Sequence, residues 1–256
     1  MEFNPNQWKF TLEEMLKKGI VMQCTNKNYS GEINYQGDRV TVKCQDQIKD
    51  LFIGQRKFFA FKVDDVARVQ CNEDLLKAHL SNANNIIESV QEEYLLKYHN
   101  YVLPENTIGN ETNSITLTKD NIYEKFVQLA ICLKNSAVDS QDKTPWVIIN
   151  PVIESILLQT PEFITNRNIA DTTLREGATG RLAGMDVLVS TNLTAVDDKY
   201  YILAGTNDAI TFASQLAKIE SLRDKDSFSD LVRGLYLYDA KVVEPKSLAK
   251  LIVKAS

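Results

Sequence analysis

The feature that most constrains the fold is a long run of apolar residues at helical spacing between Asn72 and Asn100. The apolar side chains recur at alternating intervals of four and three residues, which places them on one face of a single α-helix. Asn72 is suited to cap its start, acidic Glu73 and Asp74 follow where the helix dipole favours negative charge, and Pro104 lies beyond its end. At 1.5 Å per residue, such a helix is about 40 Å long, comparable to the width of a compact domain. The predicted buried face comprises Leu76, Leu80, Ala83, Ile87, Val90 and Tyr94.

A coiled coil would also produce this pattern. The period lasts fewer than four heptads and then stops. We therefore expect a helical spine that packs on a sheet.

Composition and charge exclude several classes of protein. The chain has 256 residues, of which 44% are apolar and 25% charged, which is ordinary for a globular protein with one large or two modest domains. No stretch approaches 18 consecutive apolar residues, so no transmembrane helix is expected, and the N-terminus shows no secretory signal. The net charge of −5 argues against a protein that grips phosphate backbones.

Motifs for catalysis, cofactors or metals are missing from the sequence. His79 and His99 lack metal-ligand spacing, and no nucleophile elbow is present. The glycines from Gly177 to Gly184 fit neither a phosphate loop nor a dinucleotide fingerprint, so we interpret them as turn glycines that join strands. No catalytic, cofactor-binding or metal residue is predicted. The widely spaced cysteines indicate free thiols in a reducing cytosol: Cys24, Cys44, Cys71 and Cys132.

Four further helices are predicted from caps and spacing. Thr11 and Glu14 form a candidate capping box for a short helix that ends at Gly19, and Asn150-Pro151 starts a helix that reaches Gln159. Thr118 precedes a stripe of Ile122, Phe126, Leu129 and Leu133, and Thr206 or Asn207 precedes a stripe of Ile210, Ala213, Leu216 and Ala217.

Strand patterns fill much of the remaining chain. The continuous apolar run 146–149 is typical of a strand buried on both faces, and strands are also predicted at 185–189 and 199–204. Two strands, 231–238 and 241–243, are expected to flank a turn. Strands and helices mix without a regular period, so the predicted class is α+β.

Residues 31–66 carry a hairpin signal. Segments 32–35 and 39–44 alternate around turn residues 36–38, a polar connection follows, and 57–63 forms another strand. The phenylalanines at 58, 59 and 61 beside Arg56 and Lys57 either stack on bases or pack in a strand, and packing is favoured. Because this segment is short of a core of its own, it either lies flat on its own domain or reaches a neighbouring subunit.

The order of these segments resembles a tailed-phage major capsid protein of the Hong Kong 97 fold. The strand 59–66 before the long helix resembles the return strand of that family's extended loop, and 146–151 resembles the entry to its axial domain. The passage Gly177-x-x-Gly180-Arg181-x-x-Gly184, followed by a strand and then Ser190, resembles a passage of the same domain, with Thr191 intervening before Asn192.

The resemblance implies a division into an N-terminal arm (1–30), an extended loop (31–66), a peripheral domain (67–145 and 223–256) and an axial domain (146–222). It also implies a shell of hexamers and pentamers that encloses double-stranded DNA without sequence-specific binding and without a membrane. A separate scaffolding protein and a portal are expected, since no long extension precedes the arm. The protein would be located in the virion and assembled in the host bacterial cytoplasm.

Subunit contacts are expected at two places, although for each charged residue a solvated surface position explains the charge equally well. The first is in the loop, and the second is near the glycine turns. The residues are Arg56, Lys57, Phe58, Arg175, Glu176 and Arg181. The alternatives are an encapsulin-like shell that encloses cargo, a tail or sheath protein, and a small cytosolic enzyme with a site assembled in space.

Overall fold

The computed structural model describes residues 5–44, 47–64, 73–112, 114–136, 144–160, 178–193, 195–225 and 227–255. Its helices are α1 (Pro5–Leu16), α2 (Ile20–Cys24), α3 (Glu73–Leu96), α4 (Ile122–Ser136) and α5 (Pro151–Leu157), with 3₁₀ turns at Lys97–Tyr101, Pro104–Asn106 and Pro245–Ser247. Its strands are β1 (Tyr29–Ser30), β2 (Arg39–Cys44), β3 (Gln47–Phe52), β4 (Gln55–Asp64), β5 (Thr107–Ile108), β6 (Ile115–Leu117), β7 (Trp146–Ile149), β8 (Ala178–Leu182), β9 (Met185–Val189), β10 (Ala195–Val196), β11 (Lys199–Gly205), β12 (Ile210–Arg223), β13 (Ser229–Val242) and β14 (Leu248–Ala255). The predicted mixture of helix and sheet is confirmed.

The chain divides into two compact units. The first contains Met1–Met22, Lys27–Val90 and Thr211–Lys241, and the second contains Gln23–Asn26, Gln91–Ile210 and Val242–Ser256. Strand β14 pairs with β11 over six residues and so joins the sheet that contains β7. The division into arm, loop, peripheral and axial domains stays a prediction.

The predicted spine is α3. Leu80, Ala83 and Ile87 are buried on one face, as the spacing predicts. The α-helix ends at Leu96 and continues as a 3₁₀ turn, so His99 lies beyond the α-helical part. Gln91, which does not belong to the predicted apolar face, is also buried. The proposed cap Asn72 lies outside the described residues.

In the first unit, two three-stranded sheets accompany the N-terminal part of α3, in the orders β1-β2-β3 and β12-β13-β4. Strand β2 was predicted, but its partner was predicted wrongly. It pairs with Gln47–Phe52, which was expected to be a polar connection, and not with residues 32–35. Residues 34 and 35 instead donate their backbone N–H groups to the carboxylate of Asp38, both at 2.7 Å, which holds them in a loop.

In the second unit, one mixed sheet has the order β5-β14-β11-β7-β9-β8. All four residues of β7 are buried, as predicted. Asn150 caps α5 by accepting the N–H of Ile153 at 2.8 Å, and Pro151 occupies the first helical position, also as predicted. The predicted stripe of α4 is fully confirmed, because Ile122, Phe126, Leu129 and Leu133 are buried.

Three local predictions were wrong. Residues 210–223 form β12 and not a helix. The strand was missed because Ile210–Ala213 are buried on both faces, so apolar and polar residues do not alternate there. Helix α1 begins at Pro5, which places Thr11 in its interior, where it cannot cap. Residues 229–242 form one continuous strand without the expected turn.

Candidate assembly surfaces

The β12-β13-β4 sheet has an inner face covered by helices. Strands β13 and β4 pair antiparallel from Ser229–Asp64 to Tyr238–Gln55, so side chains alternate between two faces. On the inner face, the ring of Phe61 stacks on His79 of α3 with centroids 5.1 Å apart and on Trp8 of α1 at 6.1 Å. Aromatic stacking therefore fixes this face to the helices of the same unit.

A glycine on β13 makes this inner packing possible. Gly234 pairs with Phe59, and a Cβ atom built on Gly234 would lie 2.3 Å from the phenyl ring. Only a residue without a side chain leaves room for the ring to lie over the strand.

The outward face of the same sheet carries an open groove of about 560 Å³. Its floor is apolar, and Phe58 on it is 79% exposed. The lining residues are Arg56, Phe58, Ala60, Lys218, Glu220, Leu231, Arg233, Gly234 and Leu235.

The rim of this outward groove has an excess of positive charge. Glu220 accepts hydrogen bonds from Lys218 and from Nε of Arg233, the latter at 2.8 Å. These hydrogen bonds, the lysine's first, hold the pKa of the Glu220 carboxyl below its usual value. The Glu220 carboxylate therefore pairs with both Lys218 and Arg233. In the described part of the chain, no carboxylate lies within 4 Å of Arg56.

The β1-β2-β3 sheet lies on its own unit by one face and exposes the other. Val40, Val42 and Leu51 are buried, whereas Ile48 is 72% exposed and Phe52 54% exposed. On the exposed face, the Arg39 guanidinium lies 4.7 Å from the centre of the Phe52 ring and 3.0 Å from a carboxylate oxygen of Asp50.

Two contacts tie this segment to β13. The N–H of Gly54 donates to the carboxylate of Asp239 at 2.8 Å, and Lys241 donates to the backbone oxygen of Asp50. Of the two possibilities that the sequence left open, the segment lies on its own unit, and its other face is exposed.

The residues predicted as subunit contacts occupy different environments. Arg56 and Phe58 share the outward groove, whereas Lys57 lines a smaller pocket of about 70 Å³ with Phe59 and Tyr236 on the inner side. Arg181 pairs with Asp186 across β8 and β9, its Nε and one terminal nitrogen both 2.9 Å from the same oxygen. Arg175 and Glu176 lie outside the described residues. Contact with a neighbouring subunit stays a prediction for all six.

In the second unit, a carboxylate on α3 organises the loop after β9. Glu92 accepts hydrogen bonds from the side chains of Ser190 and Asn192, the latter at 2.8 Å. Ser190 Oγ also accepts the backbone N–H of Asn192 at 3.1 Å. The Ser190 and Asn192 that the resemblance singled out therefore anchor the loop leading to the β10–β11 turn, where Asp197 and Asp198 have positive φ values of 52° and 61°.

His99 has a half-buried ring near this loop. The ring stacks on Tyr201 with centroids 4.5 Å apart, and its buried Nδ1 has no hydrogen-bond partner among the described residues. Burial, and secondarily the charge of Lys250, lowers the pKa of His99. The imidazole is therefore held neutral at neutral pH.

A β-hairpin tip displays the most exposed large apolar side chain in the described part of the chain. Phe228, between β12 and β13, is 82% exposed. The turn around it is fixed, because Asp224 accepts the hydroxyl of Ser227 at 2.7 Å and donates its N–H to the oxygen of Ser229 at 3.0 Å. Lys62 on β4 pairs with the same carboxylate of Asp224.

Sequence reasoning missed Phe228 and the β12 and β13 side of the groove. A lone exposed phenylalanine has no periodicity, and residues 210–217 were assigned to a helix. The polar run 220–227 that separates the two strands was a usable signal for a hairpin tip.

The described residues hold neither a metal cluster nor a membrane-spanning helix. No group of three or more histidine, cysteine or acidic side chains there is arranged to hold a metal ion. No helix in the described ranges is both long and apolar enough to cross a membrane.

The chain is similar in structure to several shell-forming proteins. No protein-family model and no curated protein matches it. A structure from Mycobacterium phage Che8 aligns with a TM-score of 0.60 and 22% identity, covering 98% of this chain and 93% of that chain. The capsid of Ralstonia phage GP4 aligns with a TM-score of 0.66 and 11% identity over 94% and 92%. The SrpI encapsulin of Synechococcus elongatus PCC 7942 aligns with a TM-score of 0.61 and 13% identity over 92% and 87%.

These alignments span nearly the full length of each partner. The chain therefore has the fold shared by phage capsid proteins and encapsulins, which confirms the fold class expected from the resemblance.

Proposed function

We propose that this chain, which has the fold of phage capsid proteins, is the major capsid protein of a tailed phage. Copies assemble as hexamers and pentamers into an icosahedral shell around double-stranded DNA, with a separate scaffolding protein and a portal taking part in assembly. The observation that carries the proposal is the near full-length match to capsid structures, such as 94% of this chain and 92% of the Ralstonia phage GP4 chain.

The exposed surfaces of the chain support self-assembly. Two sheet faces of the first unit expose large apolar side chains, Phe58 on one and Ile48 and Phe52 on the other. Each such contact can be weak, because many simultaneous contacts add up to a tight shell. The proposal assigns the protein no catalytic step.

The charge of the chain supports a container role. At −5, the chain as a whole repels a polyanion, so the wall does not adsorb the packaged DNA. The proposed location is the virion, after assembly in the cytoplasm of the bacterial host.

An encapsulin-like shell is the second candidate, because the encapsulin from Synechococcus elongatus aligns as well as the phage proteins do. The contents of the particle separate the two candidates. A capsid contains nuclease-protected DNA, whereas an encapsulin contains a co-purifying enzyme.

The test is to express the chain together with its neighbouring open reading frames and to fractionate the lysate by sedimentation. Closed shells seen by electron microscopy, containing nuclease-protected DNA, are the expected result. A chain that sediments only as a small oligomer would refute a shell role, and tubes would indicate a tail or sheath protein.

A further inference from the structure

We propose that the acidic turn of one copy, which exposes Tyr35, docks in the outward groove of a neighbouring copy. The acidic turn comprises residues 32–38, between β1 and β2, and the outward groove is the one lined by Arg56, Phe58 and their neighbours on β12 and β13. This inference rests on the proposed shell function, since it names one contact by which copies associate.

The acidic turn is fixed in shape before it binds. The side chain of Tyr35 is 76% exposed, so it does not occupy the groove of its own copy. The backbone N–H groups of Asn34 and Tyr35 donate to the Asp38 carboxylate at 2.7 Å, and the N–H of Gly37 donates to the backbone oxygen of Ile53 at 2.8 Å. A loop held in place in this way loses little conformational entropy on binding.

The acidic turn carries two negative charges. Glu32 and Asp38 lie three residues before and three residues after Tyr35. Hydrogen bonds from two backbone N–H groups, that of Tyr35 first, hold the pKa of the Asp38 carboxyl below its usual value. In the described ranges, no cation lies within 4 Å of either carboxylate, and Arg39, the nearest cation along the chain, pairs with Asp50 instead. Both charges are therefore available to a neighbour.

The outward groove offers an apolar site for the Tyr35 ring. Its volume of about 560 Å³ exceeds that of a phenol ring, and its lining includes the side chains of Phe58, Ala60 and Leu235. Phe58 is 79% exposed, so a ring beside it gains apolar burial and offset or edge contacts. The carboxylate of Glu220, in the same groove, can accept a hydrogen bond from the Tyr35 hydroxyl.

The rim of the outward groove has the opposite charge to the turn. Arg56, Lys218 and Arg233 stand against the single carboxylate of Glu220, which leaves an excess of two positive charges. The two carboxylates of the acidic turn match this excess. Complementary charge of this kind steers the encounter and selects against partners of like charge.

The other exposed aromatic side chains outside the groove lack this combination. A cation lies beside three of them, and the fourth has no carboxylate within three residues along the chain. The three pairs are Phe10 with Lys9, Phe52 with Arg39 and Phe228 with Lys225, and the fourth residue is Tyr101. The turn after β10 also carries two aspartates, but its exposed apolar side chain is Val196, which has no ring to pack on Phe58. Ring and charge together therefore select the acidic turn.

The first test truncates the ring in the full chain. Tyr35→Ala should raise the concentration needed for half-assembly by about ten- to hundred-fold, as expected for the loss of one buried aromatic side chain per copy. Tyr35→Phe keeps the ring and should assemble closer to the wild type than Tyr35→Ala does. Because Tyr35 is exposed, both unassembled variants should keep the wild-type Tm. Wild-type assembly of Tyr35→Ala would overturn the inference.

The second test changes the charge of the turn and leaves the ring in place. Glu32→Lys should assemble less well than Glu32→Gln, because it brings a cation to a positive rim. Glu105→Lys is the matched control, since it makes the same change in net charge at an exposed glutamate outside the turn. Equal impairment by Glu32→Lys and Glu105→Lys would overturn the charge match.

The third test is cross-linking between copies in a Cys71→Ser/Cys132→Ser background. One variant carries Asn34→Cys in the turn and the other carries Lys218→Cys on the groove rim. A short bismaleimide should link the co-assembled mixture into dimers and should leave shells of either single variant unlinked. A control mixture with Lys225→Cys in place of Asn34→Cys should give no dimers.

The outcomes separate this inference from the proposed function. Shells that form but give no mixed dimer, or that link equally within each single variant, would overturn the turn-in-groove contact alone. A wild-type chain that stays monomeric under every condition would overturn both.

Discussion

Replacing Arg181 by alanine should destabilise the second unit, although the sequence suggested a subunit contact there. Arg181 and Asp186 face each other on β8 and β9, with two nitrogen–oxygen distances of 2.9 Å. Asp186 is 1% exposed, so the variant would leave a buried carboxylate without this cation. Breaking such a pair costs about 3–5 kcal/mol. Because the side chain of Arg181 is 31% exposed and water can reach it, we expect about 3 kcal/mol.

This loss of unfolding free energy should be measured on the unassembled chain. For a chain of this size, about 3 kcal/mol corresponds to a fall of roughly 6–12 °C in Tm. Trp146 is buried and pairs with Asp186 in the sheet. In a Trp8→Phe background, its fluorescence therefore reports unfolding of the sheet that contains the Arg181–Asp186 pair.

Two controls complete the experiment. Arg56→Ala removes an exposed arginine and should change stability by about 0.5 kcal/mol or less. Arg181→Ala/Asp186→Asn should recover part of the lost stability, because the amide carries no charge. An Arg181→Ala variant that unfolds within about 1 kcal/mol of the wild type but no longer assembles would refute the reasoning and support a contact role.

Three further predictions concern other parts of the fold. Gly234→Ala should destabilise the first unit by about 1–3 kcal/mol, because its Cβ would lie 2.3 Å from Phe59, and the double variant with Phe59→Ala should relieve the clash; urea denaturation tests both. The pKa of His99 is lowered on folding, so the stability that the neutral ring contributes is present above about pH 6.5 and falls on acidification below that value. In thermal scans between about pH 7 and pH 5, the Tm of His99→Phe should therefore depend less on pH than the Tm of the wild type. Arg56→Glu should impair assembly more than Lys57→Glu, because only Arg56 lines the outward groove; normal shells from the double variant, counted by electron microscopy, would contradict a contact at β4.

Local signals in the sequence were enough to predict some elements. The run 146–149 is buried on both faces, and Asn150 with Pro151 starts the next helix, because cap and first-turn chemistry depends only on neighbouring residues. The spine helix was predicted for a related reason, since a helical period sustained along 24 residues is rarely produced by a strand or a loop.

Where strand pairing over long range decides the structure, the sequence was misleading. In the segment 210–217, Ile210, Ala213, Leu216 and Ala217 recur at helical spacing, so the sequence predicts a helix. The segment is instead a strand, because it pairs with the adjacent strand β13, and its first four residues are buried without alternation. Likewise, β2 pairs with 47–52 because Asp38 holds residues 34 and 35 in a loop.

The candidate surface was predicted only in part for the same reason. Arg56 and Phe58 could be selected from one exposed strand, but the opposite wall of the outward groove is provided by Glu220 and Arg233 on strands that the sequence did not bring together. Phe228 was missed because a single exposed aromatic residue leaves no pattern.

If copies of this chain build a closed shell, cryo-electron microscopy of particles purified after expression with the neighbouring open reading frames should show it. We predict icosahedral shells in which this chain forms hexamers and pentamers around nuclease-protected DNA. A chain recovered from every preparation only as a small soluble oligomer would contradict a shell role.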